Sequence, residues 1–143
     1  MVQRNRFFLS IVAALLTNAC ASFGMCGNRE VKRVASPDGA LEAVLFQRDC
    51  GATTDFSTQV SIVRTGERLA DEGGNAFVAD ANHGRAPRAG WGGPPASISW
   101  RGARALVVHY HRAARVFRSP TFVEVSTGWF SRAKVELVFE KEQ

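Results

Sequence analysis

The residues with the most chemistry to offer stand in two short polar stretches. Asp49, Thr53, Thr54 and Asp55 belong to Arg48-Asp49-Cys50-Gly51-Ala52-Thr53-Thr54-Asp55, and Asp80, Asn82 and His83 belong to Asp80-Ala81-Asn82-His83-Gly84. Short oxygen-bearing side chains beside glycine-exposed backbone can hold a sugar, a peptide or an oxygen-seeking cation such as calcium. The same residue types also stabilise loops by bonding nearby backbone amides, which is the plainer reading. The two stretches make a site only if the fold carries both to one end of a sheet.

Three other sets have suitable residue types. His109 and His111 alternate along an expected strand, so they share a face and could take zinc with His83 as a third ligand. No carboxylate or cysteine completes that spacing, and no metal is expected. Cys50, His83 and Asp80 match the types of a nucleophile triad, but a disulfide would consume the thiol. Arg101, Arg104, Arg112, Arg115 and Arg118 interleave with Trp100, Tyr110 and Phe117. That set suits an anionic envelope lipid or polymer, or else forms an ordinary solvated face. There is no Gly-x-Ser-x-Gly, no phosphate-binding glycine loop and no His-Glu-x-x-His. A non-catalytic chain without a cofactor is expected.

Positioning these groups falls to strands. Glu30–Ala35 reads as a first strand, and Ser36-Pro37-Asp38-Gly39 as the turn into a second that starts at Leu41. Proline presets φ there and glycine relieves strain. Leu41, Ala43 and Leu45 alternate with Val44 and Phe46, so this strand should be central and covered on both faces. In Ser57–Arg64, Val60 and Ile62 mark one apolar face. Asn75–Ala79, Ile98–Trp100, Ala105–His111, Thr121–Thr127 and Lys134–Glu140 read as further strands. Arg112–Ser119 reads as a bend, and Gly128-Trp129-Phe130 as a turn. The Gly- and Pro-rich Arg85–Ser97 around Trp91 reads as a long surface loop. About eight short strands with regular turn signals imply an all-β fold, an antiparallel sandwich or small barrel.

At 143 residues the chain has room for one such domain. Its net charge of +5 is unevenly spread: −3 over residues 28–83 and +8 over residues 84–135. A basic half suits an anionic partner, or is simply an Arg-rich surface.

The N-terminus reads as an address. Arg4 and Arg6 precede an apolar run from Phe7 to Leu16, and small residues follow through Ala19, Cys20, Ala21 and Ser22. This is a secretory signal, too short to span a bilayer comfortably. One reading cuts before Cys20 and lipidates that thiol, although Thr17 stands where a large aliphatic residue is usual. The other cuts before Ser22. We favour the first, which gives a signal peptide over residues 1–19, a tether over 20–28 and one β domain over 29–143. Either way the domain is exported, and nucleic acid is not an expected partner. Cys26 and Cys50 then remain in an oxidising compartment, where a disulfide between them would close a loop of about 24 residues. The alternative is a reactive Cys50, which Asp49 alongside disfavours by raising the thiol pKa.

Several motifs occur in order: Cys26-Gly27-Asn28, Ser36-Pro37-Asp38-Gly39, Arg48–Thr54, Phe56–Ile62, Gly74–Asp80 and His83-Gly84. In these the chain resembles a family of uncharacterised small bacterial lipoproteins, over about Cys26 to Tyr110. The resemblance implies export and lipidation and implies no activity. It fades over Arg118 to Arg132, which looks longer than usual. The functional expectation is an exported, lipid-anchored domain of the cell envelope. It would be bound to the membrane through Cys20 and act as a binding or accessory protein for an anionic envelope component or an envelope protein. The alternative is an inhibitor of an envelope or cell-wall hydrolase that inserts the Trp91 loop.

Overall fold

The computed structural model describes residues 26–143. The signal segment, Cys20 and the tether as far as residue 25 lie outside the described residues. Within them the chain forms strands and no helix: β1 (Gly27–Ala35), β2 (Leu41–Asp49), β3 (Ser57–Arg64), β4 (Phe77–Asp80), β5 (Ala96–Trp100), β6 (Ala105–His111), β7 (Arg115–Arg118), β8 (Phe122–Ser126) and β9 (Arg132–Glu142). Two sheets face each other, ordered β1-β2-β3-β4-β7 and β5-β6-β9-β8. The all-β sandwich expectation holds.

Three details differ. First, β6 and β9 run parallel, with Ala105 opposite Glu136 and His111 opposite Glu142. Alternation fixes which side chains point inward but not the direction of the neighbouring strand. Second, the expected bend at Arg112–Ser119 contains β7, which pairs with β4. Of its four residues only Val116 packs on the core, too little for a period to show. Third, β1 starts at Gly27, so the last two tether residues belong to the sheet.

The core lies between the sheets. Leu41, Ala43 and Leu45 of β2, Val60 and Ile62 of β3 and Phe77 of β4 meet Ile98, Leu106, Val108 and Val135 from the other side. The Phe77 ring sits 5.2 Å from that of Tyr110 and 5.9 Å from that of Phe139, joining the sheets near one end.

The second face of β2 is also covered, as its sequence requires. Val44 and Phe46 are fully buried yet point away from the inter-sheet core. The segment over residues 65–75 lies across them. The Asn28 side-chain amide donates to the carbonyls of Ala70 and Glu72 at 2.9 and 2.8 Å. The Gly74 amide donates to Gln59 Oε1 at 2.6 Å, and the Asn75 amide to Ser61 Oγ at 3.3 Å. Gln59 and Ser61, polar by alternation, are therefore buried with their bonds satisfied. Beyond the end of β4, the Asn75 side chain bonds both the amide and the carbonyl of Ile62 at 2.9 Å, doing a strand's work on β3. A Cβ on Gly74 would sit 2.6 Å from the Phe77 carbonyl oxygen and 2.7 Å from that of Val60, so only glycine fits.

At the β1–β2 turn, Asp38 is held by the Ser36 hydroxyl at 2.6 Å, then by the Ala40 amide at 3.2 Å and Arg104 at 2.7 Å. These bonds bring its pKa down to about 2. Because the folded pKa lies below the unfolded value of about 3.9, the folded state binds fewer protons. The turn's stabilisation should be complete above about pH 4 and be lost as pH falls toward 2. An Asp38→Asn variant should lack that slope in acid unfolding monitored by circular dichroism. An unchanged slope would refute the assignment.

Candidate functional site

β1 and β2 end side by side, with Gly27 opposite Asp49. One step further, Cys26 and Cys50 form a disulfide. The loop from Gly51 to Phe56 then leads into β3. On the other side of β3, β4 ends at Asp80 opposite Ser57, and β7 begins at Arg115 opposite Asp80. Antiparallel pairing thus brings both polar stretches to the disulfide end of the sheet.

There they line a cleft of about 640 Å³, with Thr53, Thr54, Asp55, Asp80 and His83 among its walls. Arg48 of the first stretch lines it too, as do Arg115 and Phe117 of β7, outside both polar stretches. Two expected members do not line it. Asp49 turns to its own loop, where Oδ1 accepts from the Gly51 amide at 2.9 Å. Asn82 takes a left-handed backbone at φ 51°, and its side-chain amide donates to the Ala113 carbonyl at 3.2 Å. Asparagine tolerates that conformation well.

The charges in the cleft are matched. Burial pushes the Asp80 carboxyl up, but the Arg115 guanidinium and the Asn82 amide more than offset it, leaving the pKa below the ordinary value. Arg115 grips Asp80 through both nitrogens of its fork, reaches His83 Nε2 at 3.3 Å and lies 4.8 Å over the Phe117 ring. Arg48, mostly buried, donates to Asn28 at 2.7 Å and to Asp71 at 3.1 Å. Arg88 holds Asp55 at 2.6 Å. With its carboxylates engaged by arginines, the cleft has no cluster of oxygens for calcium. It offers the Thr53 hydroxyl, a half-free imidazole and an exposed aromatic ring, which are means of binding a polar ligand without covalent chemistry.

The other sets separate. Cys50 is consumed by the disulfide, which removes the triad. His109 and His111 share the outer face of β6, apart from His83 in the cleft. His109 Nδ1 lies 3.4 and 3.3 Å from Glu140 and Glu142, and His111 Nδ1 accepts from the Ala113 amide. The arginine set does not form one surface: Arg101 pairs with Glu140, Arg104 with Asp38 and Arg115 with Asp80. Of its aromatic residues, Tyr110 is buried, and Trp100 is half-buried with its indole donating to the Val34 carbonyl at 2.9 Å.

The Trp91 loop is anchored rather than free. The Trp91 indole donates to Thr58 Oγ1 at 2.8 Å, and that hydroxyl donates to the Pro94 carbonyl at 2.6 Å. Gly93 packs so closely that a Cβ would lie 2.4 Å from Thr58 Oγ1. The projecting element is instead the β8–β9 hairpin, where Trp129 and Phe130 are fully exposed. No protein-family model matches the chain, and neither a curated protein nor a solved structure is significantly similar to it.

Proposed function

We propose that this chain is an exported, lipid-anchored domain of the bacterial cell envelope that binds rather than catalyses. The observation that carries the reading is the Cys26–Cys50 disulfide, a bond that persists in oxidising compartments. The signal-like N-terminus and the resemblance to small bacterial lipoproteins point the same way, and of the two cleavage readings the resemblance favours the one that lipidates Cys20. The cleft at the disulfide end supports binding. Its arginines and carboxylates are paired, and its remaining groups suit a polar ligand, either an anionic envelope component or the surface of an envelope protein. The inhibitor alternative needs an inserting element other than the Trp91 loop, which is tied to Thr58.

The test is the intact mass of the protein purified from bacterial membranes, before and after reduction. The expected product begins at Cys20, carries acyl mass and gains about two daltons on reduction as the bridge opens. A chain beginning at Ser22 without acyl mass would overturn the anchor. No gain on reduction would overturn the argument for export. Thr53→Ala and Phe117→Ala should then weaken any binding of envelope polymer without lowering the melting temperature, since both side chains face the open cleft.

A further inference from the structure

The floor of the cleft is a row of side chains running across four strands. Arg48 of β2 lies opposite Ser57 of β3, Ser57 opposite Asp80 of β4, and Asp80 opposite Arg115 of β7. Ala79 and Val116 pack into the inter-sheet core, so by alternation Val78, Asp80 and Arg115 take the outer face. Next along β7 the register with β4 slips by one, and Phe117 is the extra residue of a bulge, a device that re-aims a side chain. Phe117 stands out 60% exposed, with the Arg115 guanidinium over its ring. A second hollow of about 460 Å³ adjoins the cleft there. Arg48, Cys50, Val78 and Phe117 line both, so the two make one trough with an aromatic ring where they meet.

The trough carries no net charge. Its walls hold three arginines, Arg48, Arg115 and Arg118, and three carboxylates, Asp55, Asp80 and Glu72. In the cleft each of these charges has a partner: Arg48 has Asp71, Asp55 has Arg88, and Asp80 has Arg115. An incoming anion could take Arg115 only by leaving Asp80, whose side chain is 14% exposed, with an unpaired charge. A cation finds Asp80 already engaged. The groups left for a ligand are neutral. The Thr53 hydroxyl is exposed. A guanidinium only donates, so His83 Nε2 accepts from Arg115 and Nδ1 carries the ring hydrogen as a donor. His83 keeps this place on a left-handed backbone at φ 56°, a conformation that glycine takes at less cost.

We infer that the trough binds an uncharged sugar chain, with one pyranose ring laid on the open face of Phe117 and its hydroxyls bonded by Thr53, His83 and the Asp80–Arg115 pair. A pyranose has the two surfaces this trough complements. Its rim of hydroxyls both donates and accepts, and its C–H face suits the electron-rich face of an aromatic ring. Hydroxyls can use the spare lone pairs and N–H groups of an ion pair without breaking it. The hollows meeting at Phe117 give room for a neighbouring unit, so a chain should bind more tightly than a single sugar. This inference rests on the binding role proposed above. It assigns the cleft to the sugar units of an envelope polymer rather than to its anionic groups.

The test is calorimetric titration of the full chain, purified from membranes in a detergent without a sugar headgroup. Chitotetraose, cellotetraose and maltotetraose are the uncharged probes, and polygalacturonate is the anionic one. At least one tetrasaccharide should bind, more tightly than its monosaccharide, with an affinity that holds when salt is raised about tenfold. Phe117→Leu, which keeps an apolar side chain but no ring, should weaken that binding about tenfold, and Phe117→Trp should not. His83→Ala should weaken it several-fold. Both residues are exposed, so these variants should keep the melting temperature of the wild type. Equal affinity in wild type and Phe117→Leu would overturn the inference. Binding of polygalacturonate alone, falling as salt rises, would overturn it and leave the cleft's binding role standing. If none of the four binds, the inference fails, and a protein surface is the one partner left for the cleft.

Discussion

Phe77→Ala is expected to cost about 3–5 kcal/mol of stability, a large share of what a domain of this size has. Phe77 is completely buried, and its ring lies between Tyr110 of β6 and Phe139 of β9. Removing it takes away the transfer free energy of a full aromatic side chain and leaves a cavity that two short strand ends cannot collapse to fill. β4 has only four residues and is tied to β7 on its far side, so the damage should spread to β7 and to the cleft wall formed by Asp80 and Arg115. In urea unfolding the midpoint should fall while the slope stays nearly constant, because the surface exposed on unfolding is almost the same. A loss below about 1 kcal/mol would mean that this ring does not join the two sheets, contrary to the core described here.

Removing the disulfide by Cys26→Ala with Cys50→Ala should cost about 3 kcal/mol, the chain-entropy value for a closed loop of this length. The bond continues the β1–β2 ladder by one pair. β1 is an edge strand, mostly exposed, and its first residues have few apolar contacts to hold them. Amide exchange should therefore rise first at Gly27–Glu30, before the global transition moves. Cys50 lines the cleft, so the Gly51–Asp55 loop should loosen with it and any binding at the cleft should weaken. Equal unfolding midpoints with and without reductant would show that the bond adds nothing to the folded state.

The strands most readable from sequence were those with strong local patterns. Ser57–Arg64 and Ala105–His111 have the same limits in the structure as in the reading, and the double burial of β2 followed from its unbroken apolar run. The cysteine pairing followed from position and compartment. What escaped depends on distant partners. The residues Arg115–Arg118 look like a polar bend until β4 supplies their hydrogen bonds, and without β7 neither Arg115 nor Phe117 could be placed in the cleft. Gln59 and Ser61 look solvated until the 65–75 segment folds over them. Trp91 looks like a loop tip until Gly93 lets it reach Thr58. Thr53, Thr54, Asp80 and His83 were legible as neighbours because turn residues mark strand ends, and ends on one side of a meander come together.

The parallel pairing of β6 and β9 has a consequence for how the protein comes into being. β9 sits inside its sheet, between β6 and β8, although it comes after all the other strands along the chain. A chain emerging N-terminus first can assemble β1, β2 and β3 by hairpin steps as they appear. β8 and β6 remain unjoined until Arg132–Glu142 threads between them. Closure of the sandwich is therefore deferred until the last strand is available, and pairings this distant in sequence form slowly. A frameshift or early stop before Arg132 would not shorten a tail. It would take out the keystone and leave two open strand edges to find other partners.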